Sequence, residues 1–281
     1  MKLAKAITVG FGRAVRSIKP ILIMWIFSVV GISVLILPIK SGIITDIGSS
    51  LGTDMIKESF SIDFWTGLDT SMPLMAGILK GLLYLILIFF FLNVFFNGGL
   101  FDALKSNVCG YSLKDFFRTS ASNFFSYLSV TLLVMLMIIF AAGLIVGLPA
   151  LIASGGSGGE VGLFKSLKIT RVIFLLVLPI FLLVIDYSRA WLAANNKKLI
   201  FKSLGYGFKA TFGCFMSSYL FMIIIMAVQF GFLFLASKVI SFNPTGNGGL
   251  FVLFLLSQAL FIIKLFLRAW RYGGVTTLFT I

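Results

Sequence analysis

The chain has 281 residues, of which 59% are hydrophobic and only 11% are charged, and its formal net charge is +14. Soluble domains are roughly 45–50% apolar and about 25% charged, so this composition excludes a water-soluble globular domain and indicates a membrane protein. The sequence contains no histidine, the commonest general base and metal ligand. The two cysteines, Cys109 and Cys214, match no metal-binding spacing. We therefore expect no catalytic site, no metal and no cofactor.

The first element is an amphipathic helix over residues 2–18. At about 100° per residue, Lys2, Lys5, Arg13 and Arg16 fall on one face. The opposite face carries Leu3, Ile7, Phe11, Ala14 and Ile18. A helix of this kind lies in the plane of the membrane, and its four cations are candidate contacts for anionic phospholipids. The alternative is that they serve only as a topology signal.

Six long apolar runs follow, each near the roughly 20 residues that cross a bilayer as a helix. They cover residues 20–39, 76–96, 126–150, 172–191, 213–237 and 249–270. Lipid offers the backbone no hydrogen bonds, so each run is expected to be helical. The sequence therefore predicts an all-α fold, a polytopic bundle of six transmembrane helices within a single domain over 1–281.

The longest predicted outer segment, 41–73, separates the first two spans. It holds five of the nine acidic residues of the chain. A short helix is expected near 53–60.

A basic and aromatic segment leads into a span at two further places, 112–130 and 199–220. Both resemble the pattern of the first amphipathic helix. The sequence therefore predicts cytoplasmic in-plane helices and three repeated helix-hairpin units, at about 1–105, 106–195 and 196–281.

The distribution of basic residues predicts the orientation of the spans. Of the 23 Lys and Arg residues, 16 fall on the side that holds both termini and the second and fourth loops. Both termini are therefore expected in the cytoplasm, as for a protein of the bacterial inner membrane.

Charged residues interrupt two spans at matching positions. Fourteen uncharged residues precede Asp186 in the fourth span, and fourteen precede Lys264 in the sixth. Fourteen helical residues rise about 21 Å, less than the roughly 30 Å of hydrocarbon, so the two charges are expected at similar depths near the inner boundary. Adding the arginines that follow them gives a predicted intramembrane charge cluster of Asp186, Arg189, Lys264, Arg268 and Arg271.

Three interpretations of this cluster stay open. In the first, Asp186 pairs with Lys264 or Arg268 and fixes the fourth helix to the sixth. In the second, the cations extend to the headgroups. In the third, Asp186 belongs to a proton or substrate relay.

Three short motifs resemble those of a group of uncharacterised bacterial six-span membrane proteins. They are "FFNGGL" at 95–100, "DYSR" at 186–189 and "LFLRAWRYGG" at 265–274. The chain is more distantly similar to the membrane domain attached to some glycerophosphodiester phosphodiesterases. The resemblance implies a six-span fold and brings no established function with it.

The leading functional hypothesis is a non-enzymatic scaffold or accessory subunit that contacts anionic lipids through its basic cytoplasmic face. Its expected partners are phospholipids and an unidentified membrane protein, and no nucleic acid. The alternative is a small transporter or lipid-handling protein with a cavity inside the bundle.

The predicted orientation can be tested by thiol labelling in intact cells. In a background that lacks both native cysteines, Ser157→Cys and Asn247→Cys should each react with an impermeant maleimide. A variant that keeps only Cys109 should be protected, because its loop is expected in the cytoplasm. The reverse labelling pattern would invert the topology.

Overall fold

The computed structural model describes residues 2–47, 72–105, 112–155, 159–195, 199–241 and 246–280. These residues are almost entirely helical, and the described part of the chain has no β-strand. The helices are α1 (Lys2–Arg16), α2 (Ile18–Ile47), α3 (Met72–Lys105), α4 (Leu113–Ala142), α5 (Leu148–Gly155), α6 (Gly159–Asn195), α7 (Ile200–Gly213), α8 (Phe215–Ile240) and α9 (Gly246–Thr280). A π-helical turn, Gly143–Gly147, joins α4 to α5. The predicted all-α fold is confirmed, while Cys109 and the short helix predicted near 53–60 lie outside the described residues.

Several of the described helices are long and apolar enough to cross a membrane. The five candidate spans are Gly81–Lys105, Leu113–Ser154, Val161–Asn195, Phe215–Ile240 and Gly248–Phe279. A sixth results if Lys2–Arg16 and Ile18–Ser33, which meet at a bend of 63°, are counted as one broken span. The described chain is thus a helical multi-pass membrane protein with five to six candidate spans.

The helices extend well past the apolar runs that predicted them. Helix α6 begins at Gly159, although its apolar run starts at residue 172, and α9 continues to Thr280, ten residues past the predicted end. Helix α2 continues to Ile47, inside the predicted outer segment. Hydropathy marks only the roughly 30 Å hydrocarbon layer, whereas backbone hydrogen bonding continues through the headgroup region, which brings the total to about 40–45 Å.

The first amphipathic helix is a separate element, as predicted. Helix α1 ends at Arg16, and α2 begins after the single residue Ser17. Pro20 lies in the first turn of α2, where its missing N–H group is not needed for a helical hydrogen bond. Pro20 is therefore compatible with the start of a new helix directly after the bend.

The other two amphipathic segments differ from each other. Residues 113–142 form one continuous helix, so the segment 112–130 is not separated from its span. Helix α7 is separated from α8 at Cys214, whose backbone (φ −125°, ψ 41°) lies outside the helical region. The division into three repeated units stays a prediction.

The chain divides into two compact units. Unit 2 is Ile23–Asn93. Within it α2 and α3 are in contact, since a Cβ added to Gly31 of α2 would lie 3.8 Å from the Phe89 side chain of α3. Unit 1 comprises Met1–Leu22 and Val94–Ile281. Its core is a cluster of buried residues from α1, α6, α8 and α9, namely Ala6, Leu183, Tyr187, Phe221, Met222, Ile225 and Val275.

Glycines allow the helix backbones of unit 1 to touch. A Cβ added to Gly10 of α1 would lie 2.6 Å from the Gly274 nitrogen of α9, and one added to Gly273 would lie 2.7 Å from the Gly10 carbonyl oxygen. Likewise, a Cβ on Gly207 of α7 would lie 2.6 Å from the Val184 carbonyl oxygen of α6. These contacts leave no room for a side chain, so α1 and α7 are each held directly against a candidate span.

The close contact of α1 with α9 predicts opposite effects for two neighbouring glycines. Gly10→Ala should lower the free energy of unfolding by about 1–3 kcal/mol, because its Cβ meets rigid backbone. Gly12→Ala should raise it by about 0.5–1 kcal/mol, because no atom lies within 4 Å of its Cβ and alanine favours a helix. Thermal unfolding of both purified variants in detergent would measure the difference, and equal effects would contradict the packing.

Candidate functional site

Part of α6 is surrounded by protein. From Leu183 to Ala193 every residue is buried except the half-buried Trp191. Over its whole length α6 contacts α4, α5, α7, α8 and α9, and residues of α1, α8 and α9 pack against Leu183 and Tyr187 in this stretch. A charged residue in this stretch therefore has to find its partners within the protein.

Asp186 is the charged residue at the centre of this stretch, and its side chain is 0% exposed. Its Oδ2 atom lies 3.0 Å from Nε of Arg271 on α9. Its Oδ1 atom lies 3.9 Å from Nη1 of Arg189, one turn further along α6. The carboxylate is thus held between a guanidinium of its own helix and one of α9, and it forms a charge-based contact between the two helices.

Arg189 also connects α6 to α4. Its Nη2 atom donates a hydrogen bond to Oγ1 of Thr131 at 2.8 Å. The Tyr127 hydroxyl, on the same helix as Thr131, donates to the Arg189 carbonyl oxygen at 2.9 Å. The guanidinium group and the backbone carbonyl of Arg189 are therefore both hydrogen-bonded to the same stretch of α4. The Tyr127 side chain that makes one of these bonds is fully buried.

An aromatic ring also lies next to Arg271, and further rings pack against it. Its guanidinium carbon lies 4.9 Å from the ring centre of Tyr272, within the range of a cation–π interaction. Tyr272 stacks on Phe101 of α3, with ring centres 4.5 Å apart. Phe101 in turn packs against Tyr127, so α3, α4 and α9 meet around the ion pair.

The structure corrects the predicted partner of Asp186. The partner on α9 is Arg271, and not Lys264, which is exposed, or Arg268, which is half-buried. The prediction measured depth from the start of each apolar run, but α6 and α9 extend past those runs by different lengths. Asp186 and Arg271 each lie nine residues before the end of their helix, so their positions match when the whole helices are compared.

Sequence reasoning missed the residues of α4 that contact Arg189. Tyr127 and Thr131 belong to a stretch with several buried polar side chains, Ser120, Asn123 and Ser126. Polar residues at three-residue spacing lie on one face of a helix, so this pattern before an apolar run indicates a face of α4 that packs against protein. The pattern was overlooked because the strongly apolar run that follows dominates the hydropathy of this segment.

The glycines of the "FFNGGL" motif bring α3 close to α4. The Gly99 nitrogen donates a hydrogen bond to Oγ of Ser120 at 3.1 Å. A Cβ at Gly98 would lie 3.2 Å from the Ser120 Cα atom. This contact positions Phe101, a few residues later on α3, beside Tyr272.

The four predicted lipid-contacting cations of α1 have different environments. Lys2, Lys5 and Arg16 are exposed. Arg13 is half-buried, and its Nη1 atom donates a hydrogen bond to Oγ1 of Thr276 on α9 at 3.0 Å. Arg13 therefore joins α1 to the bundle, which leaves three exposed cations on the basic face.

Among the described residues, no group of three or more His, Cys, Asp or Glu side chains could hold a metal ion. Comparison of the chain with protein-family models, with curated proteins and with solved structures gives no match. The resemblance to six-span bacterial membrane proteins therefore stays a prediction.

The ion pair predicts strong coupling between Asp186 and Arg271. Asp186→Asn should lower the free energy of unfolding by about 3–5 kcal/mol, because it leaves buried guanidinium groups without their counter-charge. Combining it with Arg271→Gln should recover part of the loss, which a double-mutant cycle of thermal unfolding in detergent would measure.

Asp115→Asn is the matched control for this prediction. Asp115 pairs with Arg118, but their side chains are 43% and 74% exposed, so the expected loss is only about 0–1 kcal/mol. Combining Asp186→Asn with Lys264→Gln should be additive. Additive behaviour of Asp186→Asn with Arg271→Gln as well would show that the ion pair is not coupled.

Proposed function

We propose that this chain is a non-enzymatic scaffold or accessory subunit of the bacterial inner membrane that contacts anionic phospholipids through a basic cytoplasmic face. The observation that carries the proposal is the arrangement of α1, which presents three different faces. A protein-facing stripe of Ala6, Gly10 and Ala14 is buried. The cations Lys2 and Arg16 are exposed on one side of it.

The third face of α1 is apolar and exposed. Phe11 is 45% exposed, Val15 48% and Ile18, just past the end of the helix, 44%. On the helical wheel of α1, Phe11 and Val15 lie nearly opposite the basic face, with the protein-facing stripe between them. A helix held sideways against the bundle in this way suits a position at the lipid interface, with its cations toward the headgroups and its apolar face toward the acyl chains.

The attachment of α1 to α9 strengthens this proposal. Besides the backbone contact at Gly10, the Trp270 indole nitrogen donates a hydrogen bond to the Ile7 carbonyl oxygen at 3.0 Å. The Phe11 ring packs edge-on against both Phe266 and Trp270, with ring centres 5.4 Å away in each case. The orientation of the basic face is therefore fixed by the protein, so lipid binding needs little further ordering of the helix.

The magnitude of the expected lipid contact follows from the three exposed cations. A basic residue near an anionic membrane surface contributes about 1 kcal/mol, and the contribution falls off within a Debye length. Three cations would together contribute on the order of 3 kcal/mol at low salt, which corresponds to roughly a 100-fold change in affinity. An effect of this size is large enough to measure in the purified protein.

The test is to replace Lys2, Lys5 and Arg16 with glutamine and to retain Arg13 because of its contact with Thr276. Lipid mass spectrometry should find several-fold less phosphatidylglycerol and cardiolipin with the variant than with the wild type. Retention by the wild type should fall as salt is raised during purification.

The matched control replaces three other exposed cations, Lys165, Lys168 and Arg171 at the start of α6, with glutamine. This variant loses the same charge but should retain as much anionic lipid as the wild type, since these cations are expected on the opposite side of the membrane. Equal lipid content in all three proteins would refute the lipid contact of α1.

A further inference from the structure

Positive charge exceeds negative charge inside the bundle. Arg189 and Arg271 lie 3.9 and 3.0 Å from the Asp186 carboxylate, and Arg268 precedes Arg271 by three residues on α9; we call these three arginines the guanidinium cluster. The side chains of Arg189 and Arg271 are only 6% and 14% exposed. With one carboxylate and three guanidinium groups, the site has a formal charge of +2.

Arg268 is the arginine of the cluster that forms no ion pair with Asp186. Asp186 lies within ion-pair distance of Arg189 and Arg271, whereas within the described ranges no carboxylate lies that close to Arg268. An arginine stays protonated at any pH that a cell reaches, so the site cannot lose this charge by releasing a proton. Uncompensated charge in a poorly hydrated place is costly, and a bound anion would remove that cost.

The positions of the arginines define where an anion would bind. Arg268 and Arg271 are three residues apart on α9, a spacing that places their side chains next to each other on one face of a helix. Asp186 lies 3.0 Å from Nε of Arg271, so the carboxylate contacts that edge of the guanidinium group rather than its two terminal nitrogens. Arg268 is half-buried, so part of this residue lies at the surface of the bundle.

We propose that the guanidinium cluster is an anion-binding site in which a phosphate group bridges Arg268 and Arg271. The planar guanidinium group matches the geometry of phosphate oxygens and binds them with paired hydrogen bonds. The phosphate belongs either to the headgroup of an anionic lipid or to a soluble phosphate compound. The site is distinct from the exposed cations of α1, so it stands or fails independently of the lipid contact proposed above.

The first experiment measures anion-dependent stability of the purified full-length protein in a neutral detergent. Inorganic phosphate, compared with chloride at equal ionic strength, is one probe, and phosphatidylglycerol compared with phosphatidylcholine in the micelles is the other. At saturation the wild type should unfold about 5 °C higher with the effective probe. Arg268→Gln should lose this increment.

Lys264→Gln is the matched control, because it removes one positive charge from the same helix one turn earlier, at an exposed position. It should keep the full increment. An equal loss in Lys264→Gln and Arg268→Gln would show that the anion responds only to overall charge, which would overturn the proposal.

A second variant changes the charge of the site in the opposite direction, because it removes the negative charge instead of a positive one. Asp186→Asn raises the formal charge of the site from +2 to +3, so the variant should be less stable without the anion and should gain a larger increment with it than the wild type. This comparison decides the question if Arg268→Gln does not fold.

The probes distinguish the source of the phosphate. Stabilisation by inorganic phosphate supports a soluble ligand, and stabilisation by phosphatidylglycerol alone supports a lipid headgroup. If neither probe stabilises the wild type more than Arg268→Gln, or if Asp186→Asn gains no larger increment, the cluster is not an anion site.

Discussion

The arrangement of unit 1 depends on one buried carboxylate. Asp186 lies where α6 is enclosed by other helices, so its charge can be balanced only by side chains that the fold brings to it. Arg189 supplies one partner from the same helix, and Arg271 supplies the other from α9. Because Arg271 must stay beside Asp186, α9 cannot slide or rotate relative to α6 without exposing an unpaired charge. The ion pair therefore sets the register of these two helices.

The glycine contacts make this register compatible with close packing. Gly10 and Gly273 bring the backbones of α1 and α9 together, and Gly207 brings α7 against α6 near Val184, two residues before Asp186 in sequence. Lipid is as apolar as leucine, so burial of apolar side chains does little to drive helices together in a bilayer. Small residues, hydrogen bonds and ion pairs take over that role, and here they occur around the same stretch of α6. Elsewhere the spans expose large apolar side chains, such as Phe125 and Ile152, as lipid-facing surfaces do.

The excess of positive charge has two structurally different forms. On α1 three cations, Lys2, Lys5 and Arg16, are exposed, which suits the varied headgroups of a lipid surface. In the guanidinium cluster, Arg189 and Arg271 are nearly buried and are held by Asp186, Thr131 and Tyr272, which suits a single bound group. Because α1 is attached to α9, and α9 carries Arg268 and Arg271, both forms are connected through one helix.

The sequence by itself determined the helical multi-pass architecture and an amphipathic first helix that precedes the first apolar run. Apolar runs of sufficient length must be helical in lipid, and Pro20 favours a new helix start. It also singled out Asp186 as an unusual charge. Only the tertiary structure decided that Arg271 is its partner, because the answer depends on how far α6 and α9 extend past their apolar runs and on their relative rotation. The same holds for Arg13, which shares a helical face with Lys2 but contacts Thr276, since a helical wheel records the angle of a side chain and not the neighbour that the fold places beside it.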